Sequence, residues 1–147
     1  MIFLTSYSNQ EKQKIIFEAY SSNKYFNENL NITESSVSDH SAVCVDDIVI
    51  NFSFENDILK SAEYKGVGCS IFKSSIVLML DMFINKSKEE INSILDTYFN
   101  VINKSESTEE EEIKLEKLVV FKNVKVHLNR LECASIMYRA VKKGING

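Results

Sequence analysis

No apolar run in this 147-residue chain approaches the roughly 18 residues that a membrane span needs, so no transmembrane helix is expected. The opening stretch MIFLTSYSNQEKQ lacks both a basic n-region and a small-residue cleavage site, and no signal peptide is read from it. Basic residues are outnumbered, 17 against 21 acidic ones, for a net charge of -4. That balance argues against a nucleic-acid binder, which presents a basic face. Only three cysteines are present, none in a C-x-x-C pair, and in a chain read as cytoplasmic they do not make a disulfide framework. Proline is missing altogether; with so much Asn, Lys, Ile and Ser this is read as genome composition and carries no functional weight. What remains is ordinary for a globular protein: 44% hydrophobic and 26% charged residues. The length suits one domain, residues 1–147, able to bury about two-thirds of its unfolded surface.

Periodicity divides the chain. Asn9 to Ser21 predicts a helix with Ile15, Ile16 and Ala19 on one side and Lys12 and Glu18 toward water. The following stretch SSNKYFNENLNITESSVSDHS is polar and aperiodic, a connector. Ile48, Ile50, Phe52 and Phe54 then alternate as one face of a strand, Glu55–Asp57 offers a turn, and ILKSAEYKG returns as the second arm of a hairpin. Gly66 and Gly68 suggest a tight bend before a mostly buried helix that starts after Cys69. Ser87 with Glu90 three residues on forms a capping box ahead of Ile91, Ile94, Leu95, Tyr98, Phe99 and Ile102. The acidic stretch KSESTEEEEIKLEK reads as a solvated face, with a docking surface for a basic partner as the other reading. Last comes an amphipathic helix, LNRLECASIMYRAVKKGING, with Leu131, Ala134, Met137, Tyr138 and Val141 inward and Gly144 as its cap. The expected fold class is α+β, a small antiparallel sheet packed against several helices, in the order α-β-β-α-α-α.

The three thiols fall at element boundaries: Cys44 before a strand, Cys69 at a helix start, Cys133 early in the last helix. Residues two apart on extended chain point the same way, so Cys44 and Asp46 can aim at a common centre. With Cys69 and Cys133 they would make a tetrahedral set suited to zinc. A helix N-terminus at Cys69, and Arg130 three residues before Cys133, would favour the thiolate forms. The competing reading is plain burial, since cysteine is among the most buried residue types. His40 and His127 are read as exposed and structural respectively, and Tyr20 as aromatic packing.

Taken together, CVD at Cys44–Asp46, GVGCSIFKSSIVLML around Cys69 and NRLECASIMYRAV around Cys133 resemble the U-type iron–sulfur cluster assembly family, the IscU, SufU and NifU N-terminal group. The resemblance runs from about residue 10 to 143. Cys44 and Cys69 are 25 residues apart, as across the family, whereas the 64 residues from Cys69 to Cys133 resemble the SufU branch. Glu132 stands where IscU-type chains place a histidine, and Arg130 is a SufU-like feature. Val45 replaces the usual glycine of the first motif, Ser41-Ala42 an Asn-Pro, and His127-Leu128 a Phe-Pro.

The resemblance implies a SufU/IscU-like fold and a metal site of Cys44, Asp46, Cys69 and Cys133. It also implies a cysteine desulfurase as partner, with iron–sulfur acceptor or scaffold proteins downstream and neither nucleic acid nor membrane involved. In the SufU branch the metal is zinc and Cys44 would receive persulfide sulfur, with Arg130 orienting sulfur or binding Asp46. Two alternatives stay open: a scaffold on which an iron–sulfur cluster is built before transfer, and a non-catalytic module stabilised by zinc.

Overall fold

The computed structural model describes residues 7–43 and 45–146. Ser8 opens the first helix, α1 (Asn9–Tyr20), with a capping box in which its hydroxyl accepts from the Glu11 amide and Glu11 returns the bond. Ala19 is buried against the next layer, and Ile15 and Ile16 are half-buried beside it. Three strands follow, β1 (Val37–His40), β2 (Asp47–Glu55) and β3 (Ile58–Val67), in an antiparallel sheet of order β1-β2-β3. The β2–β3 hairpin turns at Asn56 and Asp57, both with positive φ (54° and 64°), the left-handed pair that matches strand twist.

Strand β1 corrects the reading of residues 21–41 as connector alone. Four residues, VSDH, are too few to show a period, and they become a strand only because β2 offers an edge, with Val37 opposite Ile50 and His40 opposite Asp47. The same connector also touches β3, where Asn27 donates to the Tyr64 carbonyl and Tyr64 to that of Tyr25, each at 2.9 Å.

Helix α2 (Ser70–Phe83) is the centre of the molecule. Phe72, Ile76, Met79, Leu80 and Phe83 are fully buried and Val77 and Leu78 nearly so, as its nearly unbroken apolar sequence requires. It packs on α1 and on the last helix, α5 (Leu128–Asn146). The Ser87–Glu90 capping box starts α3 (Lys88–Lys104), whose Ile91, Leu95, Tyr98 and Ile102 are buried.

Two features depart from the sequence reading in this half. The acidic stretch contains a short helix, α4 (Glu109–Leu115), capped by Thr108 with Glu111 and anchored by the buried Leu115. After it, 3-10 turns at Glu116–Phe121 and Val124–Val126 bury Leu118, Val119, Phe121 and Val124, so the segment that follows α4 is part of the core. Gly144 does not cap α5. It lies inside the helix, where a Cβ would sit 2.6 Å from the Phe52 ring, so the glycine serves close packing. No helix among the described residues is long and apolar enough to cross a membrane.

Candidate metal centre

Three elements converge at one end of the sheet. His40 at the end of β1 pairs with Asp47 at the start of β2, so Ser41 and Asp46 stand at the two ends of the loop between them. The loop is closed by the Ser41 amide donating to the Asp46 carbonyl at 2.9 Å. Asp47 also pairs with Val67, the last residue of β3, which brings the chain end at Gly68–Cys69 alongside Asp46. Cys69 is the N-cap of α2, with extended backbone and no side-chain cap. The third element is α5, which presents Cys133 from its second turn and is braced there by the buried Tyr98 hydroxyl, donating to the Ala134 carbonyl at 2.7 Å.

The glycines before Cys69 do not act as a bend: no glycine among the described residues takes a positive φ, and Gly66 is paired within β3 opposite Ile48. Their role is close approach. A Cβ on Gly66 would run into the Asp47 carbonyl oxygen; one on Gly68 would lie 2.5 Å from Asp46 Oδ1 and inside the contact distance of the Phe72 ring. Glycine at 68 is what lets the Asp46 carboxylate reach Cys69.

Asp46, Cys69 and Cys133 offer ligand atoms that all lie within 4.8 Å of one another. Asp46 Oδ1 accepts from the Cys69 amide at 2.9 Å, and Oδ2 is 3.9 Å from Cys69 Sγ. Asp46 is 1% exposed and Cys133 3%, while Cys69 is exposed, so the group is walled on one side and open on the other. Among the described residues no lysine or arginine pairs with Asp46. A buried carboxylate facing thiols and lacking a cation is costly. Burial first, then the hydrogen bonds and negative charges of Asp46 and Cys69, push the Cys133 thiol far above its ordinary range. The donors therefore cannot all ionise together unless a cation sits among them.

The donor set fits zinc: two sulfurs, one carboxylate and one open side. Tetrahedral zinc at about 2.0–2.3 Å from each ligand sets ligand atoms about 3.3–3.8 Å apart, so a bound ion has only to draw this group inward by about 1 Å.

Of the residues singled out from sequence, Asp46, Cys69 and Cys133 are brought together here. Cys44, expected as a further ligand, lies outside the described residues. Arg130, in the first turn of α5, is exposed and its side chain enters no ion pair or hydrogen bond among the described residues. His40 is exposed as expected; His127 is exposed too, and its carbonyl accepts from the Arg130 and Leu131 amides at 2.9 and 3.1 Å. Tyr20 is 40% exposed and stacks under the Lys73 ammonium at 5.5 Å rather than packing in the core.

The cation close to the site is instead Arg139. Its Nε meets Asp39 Oδ2 at 3.0 Å and its NH2 meets Glu132 Oε2 at 3.1 Å. Partial burial works against its charge, and the hydrogen bonds and charges of Glu132 and Asp39 outweigh that. Glu132 and Arg139, seven apart on an amphipathic helix, share a face, which is the signal the sequence held. Asp39 had none, because its strand was not legible.

The fold and this cluster define a class: an α+β protein that gathers an aspartate and two cysteines into a candidate metal centre. No protein-family model matches the chain. It is 26% identical over 102 residues to the iron–sulfur cluster assembly scaffold protein IscU of Thermotoga maritima, covering 69% of this chain and 70% of that protein. The IscU scaffold protein of Streptococcus pyogenes is 28% identical over 102 residues, with 69% of this chain and 63% of that protein covered. The zinc-dependent sulfurtransferase SufU of Bacillus subtilis is 26% identical, with 69% and 68% covered. Among solved structures, a putative iron–sulfur cluster assembly scaffold protein for the SUF system from Fervidobacterium islandicum matches with TM-score 0.77 and 21% identity, over 95% of this chain and 96% of that one. A second structure, of a hypothetical protein, gives TM-score 0.82 at 20% identity, over 95% of this chain and 100% of that one, and both show the shared fold. The chain is thus similar in sequence to IscU and SufU proteins of iron–sulfur cluster assembly, at 26–28% identity.

Proposed function

We propose that this protein works in iron–sulfur cluster assembly as a zinc-dependent sulfurtransferase, taking persulfide sulfur from a cysteine desulfurase on Cys44. The observation that carries the reading is the convergence of Asp46, Cys69 and Cys133 within 4.8 Å, with one face open. Cys69 and Cys133 would anchor the ion as thiolates, Asp46 would be the hard and more exchangeable ligand, and Cys44 would complete the set. Zinc supplies positive charge that keeps the thiols deprotonated at neutral pH.

The chain neighbours of position 44, Val43 and Val45, are both exposed, and the Ser41 amide three residues earlier is bonded to Asp46. Those exposed valines suit contact with a partner protein. In the transfer, the Cys44 thiolate attacks the terminal sulfur of the desulfurase persulfide. A new sulfur–sulfur bond forms on Cys44, the old one breaks, and the desulfurase cysteine leaves as thiolate, so no outside oxidant or reductant is needed. Arg130, exposed and without an ion pair among the described residues, would offer its charge to the attacking or leaving sulfur. Thiols that must stay reduced suit a cytoplasmic setting.

A second reading is favoured by the scaffold descriptions of the IscU relatives: Cys44, Cys69 and Cys133 would then hold an iron–sulfur cluster as cargo and pass it to acceptor proteins. The deciding experiment is elemental analysis of protein purified without added metal, followed by desulfurase turnover with and without it. Stoichiometric zinc, and a stimulation of turnover lost in Cys44→Ala, are expected. A brown chromophore that stays stoichiometric after anaerobic reconstitution and zinc removal would favour the scaffold. Zinc whose removal unfolds the chain while turnover ignores its presence would leave only a stabilised module.

A further inference from the structure

Each of the backbone amides leading up to position 44 has an acceptor. His40 donates to Asp39 Oδ1 at 2.7 Å, Ser41 to the Asp46 carbonyl at 2.9 Å, Ala42 to Glu132 Oε2 at 3.4 Å and Val43 to Ser41 Oγ at 3.1 Å. Three of these acceptors belong to β1 or to the loop itself. The one that comes from another element is Glu132, directly before Cys133 on α5.

Glu132 is itself gripped. Arg139, two turns along the same helix, donates NH1 to Oε1 at 3.3 Å and NH2 to Oε2 at 3.1 Å, a two-pronged bond that fixes the plane of the carboxylate. The same guanidinium donates Nε to Asp39 Oδ2 at 3.0 Å and reaches the His40 carbonyl at 3.5 Å. One arginine therefore holds both the end of β1 and the carboxylate that holds the loop.

We infer that Glu132, oriented by Arg139, is a positioning residue that sets the spacing between the Asp46 loop and the Cys133 helix, and with it the grip of the centre on its metal. The inference rests on the reading of this centre as a zinc site. Glu132 contributes no ligand atom. Its leverage comes from its neighbours: it is covalently next to Cys133, and Ala42 is covalently next to Ser41, whose amide holds the Asp46 carbonyl. A displacement at Glu132 thus reaches two of the gathered donors by the shortest covalent and hydrogen-bonded routes. Residues that orient metal ligands in this indirect way typically change affinity about 10- to 100-fold when removed.

The test uses the full chain and two readouts: Zn2+ competition against a chromophoric chelator, and the sulfur-to-metal charge-transfer band of the Co2+-loaded protein. Glu132→Ala and Arg139→Ala should each weaken zinc about tenfold or more and alter the cobalt band. Glu132→Gln, which keeps an acceptor for Ala42, should recover part of the loss. Lys143→Ala is the control, because Lys143 ties the same two elements through Asp39 at 3.6 Å and the Ser38 carbonyl at 2.9 Å without touching the loop. It should leave zinc affinity unchanged. Wild-type affinity in Glu132→Ala overturns the inference, as does an equal loss in Lys143→Ala, which would mean a general staple. Should Glu132→Ala fail to fold, Arg139→Lys decides: it keeps the charge but loses the fork, and wild-type affinity in it also overturns the inference. If the wild-type chain takes up neither ion, the reading of the centre itself has failed, a result separable from all of these.

Discussion

Gly68 and Cys133 bear the sharpest demands of the site. Gly68 is needed for space, since its φ is not positive and its missing Cβ is occupied by the Asp46 carboxylate and the buried Phe72 ring. Phe72 has no room to retreat, so Gly68→Ala is expected to cost about 1–3 kcal/mol as overpacking. Denaturant unfolding measures that cost, and zinc content should fall with it because Asp46 is the other group displaced. Cys133 gives a pH dependence. Its raised pKa keeps the thiol protonated at neutral pH in the metal-free protein, and zinc must displace that proton. Zinc affinity should therefore rise with pH between about 6 and 8, by up to about tenfold per unit for each proton released. Calorimetry in buffers of different ionisation enthalpy counts the protons, and a count of zero would contradict the argument. The metal-free fold obeys the opposite sign: stability holds below the ordinary cysteine value of about 8.5 and falls above it, because the unfolded thiol ionises while the buried one resists.

Among the elements, α5 does the most to assemble the site, and its register is held from α3. The Tyr98 hydroxyl, fully buried, donates to the Ala134 carbonyl one residue past Cys133. Tyr98→Phe removes that bond and keeps the ring against Phe121, so a loss of about 0.5–1.5 kcal/mol is expected in chemical denaturation. A loss well above that range would mean the hydroxyl orders more than one helix turn. Elements with a strong local signal were legible in sequence: the Ser87–Glu90 box of α3, the alternation of β2 and the apolar run of α2 all appear where expected. Elements whose stability comes from elsewhere were not. Strand β1 is four residues long and exists through its pairing with β2, and the 3-10 turns after α4 are held by Leu118 and Phe121 reaching the core. The capping box at Thr108–Glu111 was there to be read, but four successive glutamates mask it as a solvated charge run.

At the scale of the molecule, one hydrophobic cluster extends from Ala19 through α2 to Val141 and includes Cys133 itself. The candidate centre is therefore built into the edge of the core, and occupancy and stability should be linked. Zinc at about 100 times its dissociation constant would add about 2.7 kcal/mol. A chelator should accordingly lower the melting temperature by several degrees and added zinc restore it; a melting curve indifferent to both would show that the gathered donors hold no ion. The sequence by itself determined the α+β class, the hairpin, the four long helices and the residue types of the site, because periodicity, capping and cysteine chemistry are local and covalent. Only the tertiary structure decided that Asp46, Cys69 and Cys133 meet, that Gly68 is there for clearance and not for a bend, and that Arg139 with Glu132 is the charged pair beside them while Arg130 faces water. Those outcomes depend on distances between segments far apart in the chain, which strand pairing and helix packing set and no local pattern encodes.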